Sequence, residues 1–189
     1  MDPIAQLRQA TAVFDQRLAT VAPDQWAGPT PCTEWTVRDL VDHVTGGNRW
    51  ATAVLGGLTA GEAFEVALAP GFGDDVLGDY RSSAAAQIDA FSEEGALDRN
   101  CHHIVGDMTG AVFIGLRTAD LAVHAWDLAR ATGGDEDLGD ELVTALWENN
   151  RHRADAVAAA GTFGTGASGT LADDAPVQAR LLDLVGRRP

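Results

Sequence analysis

The sequence predicts an all-α protein: an up-and-down four-helix bundle with an additional helix and a short C-terminal tail. Three observations lead there. Apolar residues recur at helical spacing over several long segments, helix-start and helix-stop residues bracket those segments, and strand-like alternation is nearly absent. A chain of 189 residues, 46% of them hydrophobic, can bury one sizeable core. Helices that each carry one apolar stripe bury it most simply against one another.

The elements follow in order. Asp2 suits an N-cap and Pro3 a first helical position, so a first helix is expected over residues 3–21, with Ile4, Leu7, Phe14, Leu18 and Val21 as its stripe. Ala22-Pro23 ends it. Residues 24–34, with Trp26, Gly28, two prolines and Cys32, read as an ordered loop. Thr36 and Asp39 match a capping box ahead of a second helix, whose buried stripe is Val37, Leu40, Val41 and Val44. His43 lies at the edge of that stripe, on a face shared with Gly47 and Trp50. Gly46-Gly47 costs a helix about 1 kcal/mol per residue against alanine. A kink is the plainer expectation there, and a close approach to the backbone is the other.

Residues 56–73 read as a loop with a short helix. A third long helix is expected over 76–94, with Leu77, Tyr80, Ala84, Ile88 and Phe91 inward and Gly95 as its stop. Residues 97–110 look irregular, with an extended piece at 103–105. The apolar run from Ala111 to Gly133-Gly134 forms the next helix, and another is expected over 138–160 with Leu138, Leu142 and Leu146 on one face. A Gly-rich stretch, an acidic stretch and a short helix at 177–184 complete the chain. The expected organisation is a helical bundle over 1–160 and a linker with a C-terminal helix packing on it over 161–189. No internal repeat is visible.

Composition narrows the partners. A net charge of −15 with only 13 Lys and Arg argues against nucleic acid and anionic membrane surfaces, which clustered cations bind. No charge-free apolar run approaches the roughly 18 residues of a membrane span, and the N-terminus carries no signal-like core, so a cytoplasmic protein is expected. Cys32 and Cys101 make no disulfide framework and fit a reducing compartment. The expected partner is a small-molecule substrate, for a monomer or a homodimer.

The chemistry concentrates at Asp120-Leu121-Ala122-Val123-His124-Ala125-Trp126-Asp127. Residues four apart stack on one helix face, so Asp120 and His124 project a carboxylate and an imidazole from an apolar helix. Burying such a pair is costly unless it is charge-paired or bound to a metal. With His43 from a facing helix, the set would offer a His/His/carboxylate centre suited to Zn, Ni, Fe or Mn, with open positions for water or substrate. The alternative is a hydrogen-bonded Asp120–His124 pair beside a core histidine at 43.

Asp127 and Asp42 are candidate acceptors for a histidine's second N–H, Asp42 reading more plainly as a solvated surface carboxylate. Arg117 could pair with Asp120 or bind an anionic substrate, the pair being the plainer reading. Cys101-His102-His103 tempts as a metal cluster, but adjacent residues rarely ligate one ion, and loop exposure explains them equally. His152, between two arginines, reads as a solvated face. Trp35, Trp50 and Trp126 wall a pocket or fill the core. Gly164-Thr165-Gly166-Ala167-Ser168-Gly169 matches a dinucleotide fingerprint as a string, but it lacks the strand before and the helix after, so no nucleotide is inferred.

Two blocks carry a family resemblance. Thr30-Pro31-Cys32-Thr33-Glu34-Trp35-Thr36-Val37-Arg38-Asp39-Leu40-Val41-Asp42-His43 resembles the signature of the mycothiol-dependent maleylpyruvate isomerase N-terminal family, within the DinB/YfiT-like metal-binding helical bundles. Asp120 through Asp127, followed by Leu128-Ala129-Arg130-Ala131-Thr132-Gly133, resembles its second block. The ending Ala175-Pro176-Val177-Gln178-Ala179-Arg180-Leu181-Leu182, then Gly186-Arg187, is similar to an actinobacterial subfamily. The resemblance implies a metal held by His43, Asp120 and His124, with Zn or Ni the expected ion. It also implies mycothiol as thiol cosubstrate. This chain has Asp120 where the family has glutamate, one methylene longer.

The expected function is therefore a divalent-metal-binding protein acting as a thiol-dependent transferase or isomerase on a small electrophile. A metal-dependent hydrolase and a non-catalytic metal- or ligand-binding bundle are the alternatives. The isomerase carries a further C-terminal domain after its bundle, and this chain ends about 30 residues past the fifth helix, less than an ordinary domain. Maleylpyruvate isomerisation itself is therefore not expected.

Overall fold

A computed structural model describes residues 2–69, 73–153, 166–172 and 174–189. They divide into two compact units, residues 2–136 and 137–189.

The first unit is built on four long helices. Helix α1 (Pro3–Leu18) starts where the sequence predicts, because the Asp2 carboxylate accepts the N–H groups of Ile4 and Ala5 at 3.0 and 3.1 Å. It buries Leu7, Ala10, Phe14 and Leu18 and stops three residues short of the expected Val21. Helix α2 (Val37–Leu55) begins on the expected Thr36–Asp39 capping box. It runs unbroken through Gly46-Gly47. Helix α3 (Ala60–Leu68) is the short helix of the 56–73 stretch, opened by a second capping box, Thr59 with Glu62.

Helix α4 (Val76–Ser92) ends two residues before the expected Glu94. Its inward face is rotated from the predicted stripe. Ser83 and Gln87 are buried, while Leu77 and Ile88 are only half-buried. The turn is explained by polar partners on the neighbouring helices, described below. Helix α5 (Gly110–Thr132) is capped by Thr109 and closed by Gly133 in the left-handed conformation, φ 70°, which glycine adopts without a Cβ penalty. Leu121 through Ala129 are all buried, nine residues in succession, so this stretch is enclosed on every side. Helix α1 packs on α5 and α4, and α2 packs on α4, α5 and α3, so the four long helices form a closed ring of neighbours.

The irregular stretch expected at 97–110 contains a small antiparallel hairpin instead. Strand β1 (Asn100–His103) pairs with β2 (Gly106–Thr109), and Ile104-Val105 form its exposed turn rather than the extended piece expected there. All-α remains the right class. No described helix is long and apolar enough to cross a membrane.

In the second unit α6 (Asp140–Asn150), a 3-10 turn (Arg151–Arg153) and α7 (Val177–Leu184) follow. Leu138, Leu142 and Leu146 are buried along one face as expected, and α6 packs on α7, where Leu181 and Leu182 are buried. The Leu138 N–H donates to Gln178 Oε1 at 3.0 Å, and Arg180 lies over the Trp147 ring at 4.4 Å. Residues 154–160 of the expected long helix, and Gly164-Thr165 of the glycine string, lie outside the described residues; the described part of that string, Gly166 to Gly169, is irregular.

Candidate functional site

The site is made of two helices and one loop, all within the first unit. Asp120 and His124 stand on α5, one turn apart, and His43 on α2 faces them. His43 Nε2 lies 3.6 Å and His124 Nε2 3.4 Å from the same carboxylate oxygen, Asp120 Oδ1. The His43 and His124 rings meet edge to face with centroids 5.0 Å apart. His124 is enclosed, with a side chain 5% exposed, whereas His43 at 39% gives the cluster a side open to solvent. The three residues expected to act together are therefore brought together.

The remaining polar atoms have partners. Asp120 Oδ2 accepts from an Arg117 guanidinium nitrogen at 2.8 Å, the pairing the sequence favours. His124 Nδ1–H donates to Asp127 Oδ2 at 3.0 Å, and the Asp127 side chain is fully buried. Asp127 is thus the acceptor for the histidine's second nitrogen. Asp42, the other candidate, pairs with Arg38 Nε at 2.9 Å on the helix surface.

Arg117 is itself held on several sides. Its Nε donates to Gln87 Oε1 at 2.9 Å and a terminal nitrogen to Asn48 Oδ1 at 3.0 Å, while Asn48 Nδ2 donates to Ser83 Oγ at 3.2 Å. These bonds turn the polar residues of α4 inward. They also explain Gly47: a Cβ there would stand 2.6 Å from an Arg117 nitrogen, so the close approach at Gly46-Gly47 is a guanidinium packed on the helix backbone.

The loop before α2 supplies two further walls. Thr30 N–H and Oγ1–H both donate to the Trp35 carbonyl, at 3.1 and 3.0 Å, and Val37 N–H donates to the Gly28 carbonyl. Closing so tight a turn puts Glu34 in the left-handed region, φ 72°, uncommon for a residue with a Cβ. The turn lays Trp35 against His43 at 4.7 Å and His124 at 5.9 Å between ring centroids. It also brings Cys32 Sγ to 3.3 Å from Asp127 Oδ2, to which the thiol donates, and to 3.8 Å from His124 Nδ1. The sequence reading missed this role of Cys32. The only available signal was its place in the same motif block as His43.

Electrostatics follow from burial and pairing. Burial alone would push both Asp120 and His124 toward their neutral forms. The charges of His124 and Arg117, with hydrogen bonds from His124 and His43, outweigh it and hold the Asp120 carboxyl well below its usual range. Against the same burial cost, the Asp120 charge and hydrogen bonds involving Asp120, Asp127 and Cys32 hold His124 well above the ordinary histidine value.

The other candidates do not converge. Cys101 is buried, which pushes its thiol up, and His102 Nδ1 pairs with Asp107 at 2.9 Å. His103 packs among Trp50 and Phe113, and burial, then the Arg117 charge, lowers its pKa. Alternation along a strand puts His102 on the face opposite Cys101 and His103. Trp50 and Trp126 belong to the core, at 9% and 2% exposure, and His152 is exposed.

The donor atoms fit a metal by spacing. An ion with bonds of about 2.0–2.1 Å in tetrahedral geometry separates its ligand atoms by about 3.3–3.4 Å, close to the 3.4 and 3.6 Å measured around Asp120 Oδ1. His43, Asp120 and His124 could hold one ion through these atoms; Cys32, His124 and Asp127 form a second convergent group that shares His124.

Residues 7–129 match the family model described as the mycothiol maleylpyruvate isomerase N-terminal domain. The chain belongs to that family. The matched span contains every residue of the site. The uncharacterized proteins MT0763 and Rv0738, from two strains of Mycobacterium tuberculosis, are each 39% identical over 146 residues, 75% of this chain and 74% of theirs. Among solved structures, the mycothiol-dependent maleylpyruvate isomerase superposes with a TM-score of 0.61, and a histidine-to-alanine variant of it with 0.62. Both are 16% identical, and the match covers 82% of this chain and 68% of theirs, which establishes a shared fold.

Proposed function

We propose that His43, Asp120 and His124 hold a divalent metal, zinc or nickel, and that the protein uses it with a low-molecular-weight thiol of the mycothiol type to transform a small electrophile by transfer or isomerisation. The observation that carries the reading is the convergence of three donor atoms within 4.8 Å of one another, two of the separations being 3.4 and 3.6 Å, beside a solvent-open edge at His43. Family membership and the thiol dependence in the name of the isomerase that shares the fold support it. Two cysteines that form no disulfide with each other and a net charge of −15 suit a small-molecule enzyme of a reducing cytoplasm.

Bound at such a centre, a divalent ion supplies Lewis acidity that keeps a thiol in its nucleophilic thiolate form at neutral pH. The chain's own residues do the rest. Asp127 accepts the Nδ1 proton of His124 and so turns Nε2 toward the open side. Trp35 covers the two imidazoles and keeps bulk water from one face of the site. His43, at the exposed edge, marks where thiol and electrophile arrive.

The direct test follows thiol consumption with a panel of electrophiles, using protein stripped of metal and then reloaded with zinc or nickel. Consumption is expected to need both metal and His124; a rate indifferent to chelation counts against the reading. Turnover without any thiol, lost on chelation, would point to metal-assisted hydrolysis instead. A second expectation concerns Asp127. Asp127→Ala should weaken metal binding about 10–100-fold, as removal of a ligand's hydrogen-bond acceptor typically does. Competition with a chromophoric chelator reads it, and an unchanged affinity removes Asp127 from the site.

A further inference from the structure

We propose that Arg117 is the positioning residue for Asp120: it fixes one carboxylate oxygen so that the other faces the two histidines. The proposal rests on the metal-binding reading above and assigns a part to residues outside the ligand set.

The geometry is specific. An aspartate one turn from His124 has two equivalent oxygens and free rotation about its terminal bond, so nothing intrinsic directs either oxygen at an ion. Arg117, three residues earlier on α5, takes Oδ2 at 2.8 Å, which leaves Oδ1 as the oxygen 3.4 and 3.6 Å from the histidine nitrogens. A guanidinium on a flexible stem positions a partner only if it is itself fixed. Gln87 Oε1 holds its Nε at 2.9 Å and Asn48 Oδ1 a terminal nitrogen at 3.0 Å, from helices on two other sides. The guanidinium's planar fork matches such a set of acceptors, which a lysine ammonium cannot reproduce. Gly47 completes the cradle, since a methyl group there would stand 2.6 Å from the nitrogen that reaches Asp120.

The cluster is a poor device for stability alone. It places a cation at 7% exposure, and the amide nitrogen of Gln87 is buried without a hydrogen-bond partner among the described residues. Buried charges and unmade hydrogen bonds cost folding free energy, and apolar packing would serve the core better. The cluster makes sense as an orienting frame whose working end is Asp120.

Two variants separate positioning from structure. Arg117→Lys keeps the positive charge and loses the fork, while Gly47→Ala keeps Arg117 and crowds it. Each is stripped of metal, checked for folding by circular dichroism and thermal unfolding, and titrated with Co(II), whose visible spectrum reports coordination number. The expected result is a loss of Co(II) affinity of at least tenfold in Arg117→Lys. The spectrum should also shift from the wild-type form in both variants, as the carboxylate swings away and water replaces it. Wild-type affinity and spectrum in both folded variants overturn the proposal. Should one variant fail to fold, the other decides alone. If both fail, Asn48→Ala, which frees one guanidinium nitrogen, takes their place with the same two outcomes. A wild-type protein whose Co(II) uptake does not depend on His43 overturns the metal-binding reading, and this proposal with it.

Discussion

Replacing His43 or His124 with alanine is expected to cost metal binding about equally, but only the second replacement should cost stability. Structural zinc sites of four ligands gain about 10–16 kcal/mol, so each ligand is worth about 3 kcal/mol, or roughly a hundredfold in affinity. Both variants should therefore bind at least about a hundredfold more weakly in chelator competition. Their metal-free forms should differ. His43 is 39% exposed and its removal leaves no buried group stranded. His124 is enclosed between Asp120 and Asp127, and without it the fully buried Asp127 loses its charged partner. Breaking a buried pair from one side costs about 3–5 kcal/mol, readable as a lowered denaturation midpoint. Metal content unchanged in either variant would sink the three-residue site.

The second large effect is a dependence on pH. In the metal-free protein His124 sits well above its ordinary value of 6.5, so it carries a proton at neutral pH, while Asp120, held well below 3.8, carries none. Metal must displace the His124 proton and nothing from Asp120. Affinity should rise about tenfold per pH unit until the pH passes the raised His124 value. Stability of the metal-free protein runs the other way. A raised histidine contributes fully below 6.5 and loses its contribution as pH rises through its higher folded value. The lowered carboxyl contributes above 3.8 and loses its contribution only as pH falls through its lower folded value. The metal-free midpoint should therefore fall on the alkaline side, and the gain in midpoint on adding metal should grow between pH 6 and 9. A gain that shrinks with pH would mean that His124 is not where the metal binds.

Much of this was legible in the chain. The starts of α1 and α2 are written in Asp2-Pro3 and in Thr36 with Asp39, because caps are local interactions decided within four residues. The Asp120–His124 juxtaposition is likewise a matter of helical period. His43 stood out as a histidine at the edge of an amphipathic stripe on another helix, and the family resemblance then tied it to Asp120 and His124, since its spacing from Asp120 encodes no contact between helices. What escaped was non-local. Cys32 meets His124 across 92 residues of sequence through a turn strained at Glu34. The hairpin escaped because Asn-Cys-His-His and Gly-Asp-Met-Thr lack the apolar alternation that marks a strand. The rotation of α4 escaped because Ser83 and Gln87 look like surface residues until the buried Asn48 and Arg117 they serve are known.

The nine successive buried residues of α5 give the site two walls of unlike mobility. His124 and Asp127 belong to that enclosed run, with Asp120 just before it, so this wall belongs to the part of the unit expected to open last. Facing it are a half-exposed imidazole and a short turn tied by a few backbone hydrogen bonds. The side open to solvent is the one bounded by the His43 edge and the Cys32–Trp35 turn. The site therefore pairs a rigid helical wall with one made by a short loop (28–35) held by a few backbone hydrogen bonds.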